Sequence, residues 1–369
     1  MSNINLEDMI NQAYKAAVNT RGHVNILLAG KTGTGKSTLV NTIFSGRIAE
    51  TGQGRPVTQN MRRYQKEGTP VSIFDTKGLE VKDYKEILNE LISKVKELNR
   101  SEKPEDHIHA AWLCIAEGSR RIEQAELDLA QALADLNIPV IVVITTAISD
   151  QNFRSDVEKA FSMASNVVRV NSVPFPIDDG MVSPVRGIDV LVDLTMEVVP
   201  KGQKNAFAAA QRVKVEHKVL QCRAIVATAA ASAAGAGAVP VPFSDAIAII
   251  PIQVGMLGAI SAVFGMNLTT GFLTTLVGGT LATTSGSLAG RALVGGLLKL
   301  IPGAGTWVGG AISASVAATL TTAFGEAYIQ VLKQFFVEDP EHMPDASELA
   351  AALKERMRKT SPKLLEASE

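Results

Sequence analysis

The stretch from Val24 to Phe44, VNILLAGKTGTGKSTLVNTIF, constrains the fold more than any other part of the chain. An unbroken apolar run ends on Gly30. From there Gly30 to Ser37 spells G-x-x-x-x-G-K-S, and KSTLVNTIF is helix-forming. Strand, glycine-rich loop and helix in that order are the context that a phosphate-binding loop requires. Glycines let backbone N–H groups wrap a polyanion, and the helix N-terminus adds its own partial positive charge. Gly30, Lys31, Thr32, Gly33, Thr34, Gly35, Lys36, Ser37 and Thr38 are the expected loop contacts. Lys36 is expected to reach the β- and γ-phosphates of a nucleotide, and Ser37 to ligate Mg²⁺ through its hydroxyl.

The same alternation continues to about residue 200. VSIFDT, AAWLCIA and PVIVVIT are short apolar runs, separated by periodic segments such as DYKEILNELISKVKELN and IEQAELDLAQALADLN. Continuous apolar strands between helices predict a parallel sheet covered on both faces. MRRYQKEG reads as a polar edge strand. INLEDMINQAYKAAVN places Ile4, Met9, Ile10, Ala13 and Ala17 on one stripe, which predicts an amphipathic helix docking on the next segment of the chain. Residues 205–223 read as a single charged connecting helix, and DASELAAALKERMRK as a soluble amphipathic helix on a mobile tail. The expected divisions are 1–21, 22–200, 201–336 and 337–369.

FDTKG comes after a strand, which puts Asp75 near the Mg²⁺ and the Gly78 N–H toward the γ-phosphate; between it and the first loop, RPVT supplies Thr58. This order resembles the Era-like and septin/dynamin-related branch of GTPases, within the Ras-like class. The resemblance is carried by Gly30–Thr38, RPVT at 55–58 and DTKG at 75–78, and spans residues 22–200. It implies an α/β Ras-like P-loop NTPase domain with a mainly parallel sheet, and GTP/GDP with Mg²⁺ as cofactors. It also implies Ser37, Thr58 and Asp75 as metal ligands, and Lys36, Thr58 and Gly78 as the catalytic set. Thr58 and Gly78 would be held by the γ-phosphate and released after hydrolysis.

Two departures stand out. The base-reading motif of such proteins, [N/T]-K-x-D, falls on TTAISD: Thr145 matches the first position, Thr146 replaces the lysine, Ile148 stands in the aspartate's place, and an aspartate comes only at Asp150. Either Asp150 reaches guanine from a longer loop, or it caps a helix and the base is held without a carboxylate. RVNS at 169–172 resembles the final base motif and nominates Ser172. The second departure is Leu79, where Ras-like enzymes carry a water-orienting glutamine. Leucine cannot hold a water, so hydrolysis is expected to be slow. Arg55 or Gln59 in the switch, a residue of a second molecule, or Arg120 and Arg121 would have to supply the orientation. A nucleotide-dependent scaffold with negligible hydrolysis and an ATP-using P-loop protein stay open as alternatives.

Between Ala224 and Phe324 the formal charges are Asp245, Arg291 and Lys299 alone. The segment predicts an all-α, Gly/Ala-rich C-terminal domain. Gly286–Gly290 and Gly305–Gly309 carry the G-x-x-x-G spacing that lets helices approach closely in a bilayer. Membrane insertion and a soluble bundle of small-residue helices are both compatible with it. VPVPFSDAIAIIPIQVGML resembles the apolar YcjF-type domain of unknown function attached to some bacterial Era-like GTPases. Net charge is −1 over 369 residues, so no nucleic acid is expected as partner. Cys114 and Cys222 lack metal-ligand spacing, and the first residues lack a signal-peptide pattern. The expectations are an intracellular, cytoplasmic protein with membrane association. Its expected partners are a guanine nucleotide, membrane lipid and a second copy of itself.

Overall fold

The computed structural model describes residues 6–44, 48, 55–66, 68–78, 84–177, 181–237, 245–266, 268–281, 314–339 and 342–366. The chain divides into two compact units. One is Gly22–Lys214; the other joins Met1–Arg21 to Val215–Glu369. The elements begin with α1 (Leu6–Arg21), β1 (Val24–Gly30), α2 (Lys36–Ile43), β2 (Arg55–Pro56), β3 (Met61–Gln65), β4 (Val71–Thr76) and α3 (Tyr84–Leu98). After these come β5 (Ala110–Ala116), α4 (Gln124–Ala134), β6 (Val140–Thr145), α5 (Phe153–Ala160), β7 (Asn166–Arg169), β8 (Phe175–Pro176) and β9 (Val182–Ser183). The unit closes with α6 (Ile188–Val198) and α7 (Lys204–Ala210).

In the first unit the sheet order is β2-β3-β4-β1-β5-β6-β7. From β4 to β7 neighbours are parallel; β3 and β2 are added antiparallel at one edge. The apolar runs are where this geometry demands them, because β1, β5 and β6 have helices on both faces. On one face Leu27, Leu113 and Val142 pack with Leu91 and Val95 of α3 and Leu129 and Leu133 of α4. On the other, Phe44 stacks on Trp112 at 5.8 Å and meets Phe207 edge-on at 6.0 Å. MRRYQ forms β3, paired on its outer side, among the described residues, with the two residues of β2.

Phe207 belongs to α7, so the expected single helix over 205–223 is two helices. The break is built by Gln211, whose amide oxygen accepts from the Val213 and Lys214 N–H groups. Arg212 donates to the Asn41 and Thr42 carbonyls beside it. The first compact unit therefore ends at Lys214, after α7. Phe207 of α7 belongs to this unit through its contact with Phe44.

The segment before β5 contains a buried histidine. His109 is 4% exposed; its Nδ1 accepts from the Asn25 N–H and its Nε2 donates to the Pro104 carbonyl, both at 2.9 Å. Burial pushes its pKa down from the usual 6.5 to about 4. A depressed folded value means the unfolded chain binds the proton first. The stability is then fully present above pH 6.5 and is lost as pH falls toward 4, by about 3 kcal/mol in all. Urea midpoints monitored through Trp112 fluorescence, in a Trp307→Phe background, should show this slope. His109→Phe should flatten it.

The second unit contains α1, α8 (Val215–Gly237), α9 (Asp245–Phe264), α10 (Thr270–Leu281), α11 (Ala314–Glu338) and α12 (Ala346–Glu366). The expected stripe of α1 exists: Ile10, Ala13 and Ala17 are buried. It packs on α9 and α10. Likewise α12 is no mobile tail. Leu349, Leu353 and Met357, one turn apart each, are buried where it meets α10 and α11. The interior of the unit holds Val226, Met256, Leu257, Ile260, Phe264 and Phe324, with a Ser261–Tyr328 hydroxyl pair at 2.7 Å. Lys218 is buried, its ammonium 5.0 Å from the centre of the Phe336 ring. The two G-x-x-x-G pairs lie outside the described residues.

Candidate functional site

The loop between β1 and α2 turns on glycines in the left-handed half of backbone space. Gly30 has φ 138°, and Gly33 and Gly35 have φ 81°. At Gly30 the requirement is spatial as well, because a Cβ there would lie 2.3 Å from the Cys114 carbonyl oxygen on β5. Lys36 opens α2 and arcs back over the loop, its ammonium donating to the Gly30 carbonyl at 2.7 Å and the Lys31 carbonyl at 2.9 Å. An ammonium has three protons, so one is left for an anion. Thr34 closes the turn through its hydroxyl on the Lys31 carbonyl. Thr32, Gly33, Ser37 and Thr38 are exposed or half-buried around it. Lys31 points elsewhere, pairing with Glu123 at 2.7 Å at the start of α4.

Asp75 lies near the end of β4, beside Leu28 of β1 and opposite Arg62 of β3. Burial raises its carboxyl above the usual range; the charges of Lys36 and Arg62 act in the opposite sense. Its Oδ1 is buried without a hydrogen-bond partner among the described residues. A buried carboxylate oxygen lacking a donor calls for a cation, so the residues fit a hard divalent ion coordinated by oxygen. Below the loop, burial pushes the Cys114 thiol up to about 12, which leaves it un-ionised at neutral pH.

Thr58 is brought to a different partner. Its hydroxyl accepts from the Asn60 N–H at 3.1 Å and bonds Glu90 of α3, which Asn60 also holds. These bonds, Asn60 first, hold the Glu90 carboxyl below its usual range. The Lys77 N–H donates to the Asn60 carbonyl at 2.9 Å, so the segments carrying Thr58 and Gly78 are tied together. Leu79 lies outside the described residues.

At the other end of the sheet, Thr145 is buried, its hydroxyl 3.3 Å from the Ile115 carbonyl. Asp150 lies just before α5: its Oδ1 accepts from the Arg154 N–H at 2.8 Å, and its carbonyl from the Phe153 N–H. Ser172 is half-buried, and its carbonyl accepts from Thr42. Arg120 is committed to this loop, donating to the Ser149 and Asp150 carbonyls over the Phe153 ring. Arg121 is exposed. The residue that sequence reasoning missed is Glu117. It is 2% exposed, and its carboxylate accepts from the Ile148 and Ser149 N–H groups at 2.6 and 2.7 Å and from Arg169 Nε at 2.7 Å. The available signal was an acidic residue directly after a buried strand.

Comparison with known proteins agrees with this layout. Residues 25–146 match the family described as 50S ribosome-binding GTPase, and residues 203–359 match a domain of unknown function (DUF697). A search of curated proteins gives no match. Among solved structures, the chain is similar to a probable GTP-binding protein engB at 17% identity and TM-score 0.34, covering 47% of this chain and 98% of that one. It is similar to Era in complex with MgGDPNP and a 16S ribosomal RNA fragment at 16% identity and TM-score 0.32, covering 49% of this chain and 58% of that one. Bacterial selenocysteine-specific elongation factor EF-Sec gives 16% identity and TM-score 0.32, with 48% of this chain and 28% of that one covered. The chain thus spans little more than half of the Era chain and under a third of EF-Sec. The chain is thus similar over residues 25–146 to the 50S ribosome-binding GTPase family and over residues 203–359 to DUF697.

Proposed function

We propose that the protein is a Mg²⁺-dependent GTP switch that hydrolyses slowly and passes its nucleotide state to a membrane or a partner through the helical domain. The observation that carries this reading is the pairing of Lys36, arched over the glycine loop, with the Asp75 carboxylate near the end of β4, whose buried Oδ1 has no donor among the described residues. The loop N–H groups and Lys36 would bind the phosphates. Ser37, Thr58 and Asp75 would hold the metal, which when bound neutralises charge on the transferred phosphoryl group. Thr58 must leave Glu90 to take that place, and Gly78, tied to it through Asn60 and Lys77, would move with it.

Leu79 offers no water-orienting amide. Arg120 is engaged with the loop after β6, so it is withdrawn from the candidates for that role. Arg55, the exposed Gln59 and Arg121, or a group from a second copy, are left to orient the water. Basal turnover is therefore expected on the order of 10⁻⁴–10⁻² per second. Single-turnover hydrolysis of Mg²⁺–GTP over a wide range of protein concentration tests it. A rate per molecule that rises with concentration supports completion of the site by a second copy. Undetectable turnover with nucleotide-dependent assembly would leave the scaffold reading, which Leu79 favours.

Two features support membrane association. Among the described residues one helix, Val215–Ala236, is long and apolar enough to cross a bilayer, with a third of its most apolar stretch buried in the unit. On the β8–β9 ribbon and beside it, Phe175, Met181 and Val182 are exposed. The full chain is expected to float with liposomes, and Phe175→Ser/Met181→Ser to lower the bound fraction. A chain that stays at the bottom of the gradient points to a protein partner instead.

A further inference from the structure

We infer that Glu117 is a positioning residue for the base. From the end of β5 it fixes the loop after β6, a task that in a [N/T]-K-x-D sequence falls to the loop's own side chains. The inference rests on the nucleotide reading above and concerns a different end of the site.

The loop departs from that pattern at two positions, Thr146 and Ile148. It is also bent: Thr146, Gln151 and Asn152 all have positive φ, at 50°, 43° and 65°, without being glycine. Such conformations persist only where surrounding groups over-determine them. Here the determining groups are visible. One Glu117 oxygen takes the N–H groups of Ile148 and Ser149, the very place where the base-reading carboxylate is missing. The other oxygen takes Arg169, at 2.7 Å from Nε and 2.6 Å from Nη2. Arg169 in turn lies 3.8 Å from Asp150, and Arg120 holds the carbonyls of Ser149 and Asp150. The backbone N–H and carbonyl groups of one loop are thus gripped by the opposite charges of Glu117 and Arg120 in the turn after β5, with Arg169 of β7 bracing Glu117.

A buried carboxylate is tolerated only when paired and fully hydrogen-bonded, and Glu117 meets that condition through this loop. With Asp150 spent on the Arg154 N–H, discrimination between purines must come from the loop's fixed backbone and its packing. Guanine preference then depends on Glu117, while phosphate affinity does not.

The test uses the full chain and three probes: Mg²⁺–GTP, Mg²⁺–ATP and Mg²⁺–tripolyphosphate, with affinities measured by competition. The wild type should prefer GTP over ATP. Glu117→Ala should reduce that preference about tenfold or more, while tripolyphosphate affinity changes less than about twofold. Glu117→Gln keeps an oxygen for the two N–H groups and should restore most of the preference. If Glu117→Ala does not fold, Glu117→Leu with Arg169→Leu removes the pair together and should show the same lost preference. An unchanged GTP-to-ATP ratio in the alanine or double-leucine variant would overturn the inference, as would parallel loss of all three probes. A wild type without base preference that still binds tripolyphosphate would also overturn it, leaving phosphate binding intact. A wild type that binds none of the probes would remove the nucleotide reading itself.

Discussion

Replacing Lys36 by alanine is expected to abolish measurable Mg²⁺–nucleotide binding while leaving the fold in place. The ammonium is the loop's mobile charge, and a charge-assisted bond to phosphate contributes about 1.5–3 kcal/mol. Losing contacts to two phosphates should weaken binding by roughly 10²–10⁴-fold. The fold should tolerate the change, because the hydrogen bonds of the Lys36 ammonium go to the carbonyls of Gly30 and Lys31. These lie at a surface loop, so the effect on stability should stay within about 1 kcal/mol. Calorimetry with Mg²⁺–GTP, alongside a thermal melt, reads both quantities. Unchanged affinity would sink the nucleotide assignment.

Gly30→Ala should do the opposite and damage the fold first. Its Cβ would meet the Cys114 carbonyl oxygen at 2.3 Å and the Cys114 Cβ at 3.1 Å, in a backbone conformation with φ +138°. Backbone and strand must both shift, and the loss is expected to be about 3 kcal/mol or more. Gly33→Ala is the control. It shares a positive φ, 81°, but a Cβ there meets nothing within 4 Å. It should lose only about 1 kcal/mol. Urea midpoints of the two variants should differ clearly, and equal midpoints would mean that the approach of β1 to β5 at Gly30 is not tight.

Strands and the phosphate loop were legible because their determinants are local. An apolar run buried on both faces, or a glycine spacing, is written in consecutive residues. The placements of α1, α7 and α12 were not legible for the same reason. Each has a readable apolar stripe, but which surface covers it depends on residues far away in sequence, as with α1 on α9 or Phe207 against Phe44. The far end of the site was legible only in outline. The missing lysine and aspartate at 146 and 148 are visible in the sequence. Glu117 meets its Arg169 partner 52 positions later, however, and no periodicity announces that pair. Asp150, one of two readings at the outset, accepts from the Arg154 N–H beyond the bend at Gln151 and Asn152. Thr58 sits with Glu90, an arrangement that no loop motif predicts.

The helical unit is discontinuous: its first helix precedes the nucleotide-binding unit, and the rest comes after it. As the chain is synthesised, α1 emerges first, with Ile10, Ala13 and Ala17 uncovered, and it must wait until α9 and α10 are complete before that stripe is shielded. The inserted unit can finish folding in the interval, since domains generally fold as they emerge. For the whole of that time the stripe of α1 lacks the cover it has in the folded unit. Any fragment that keeps residues 1–21 but stops before Val215 would retain the same exposed stripe permanently.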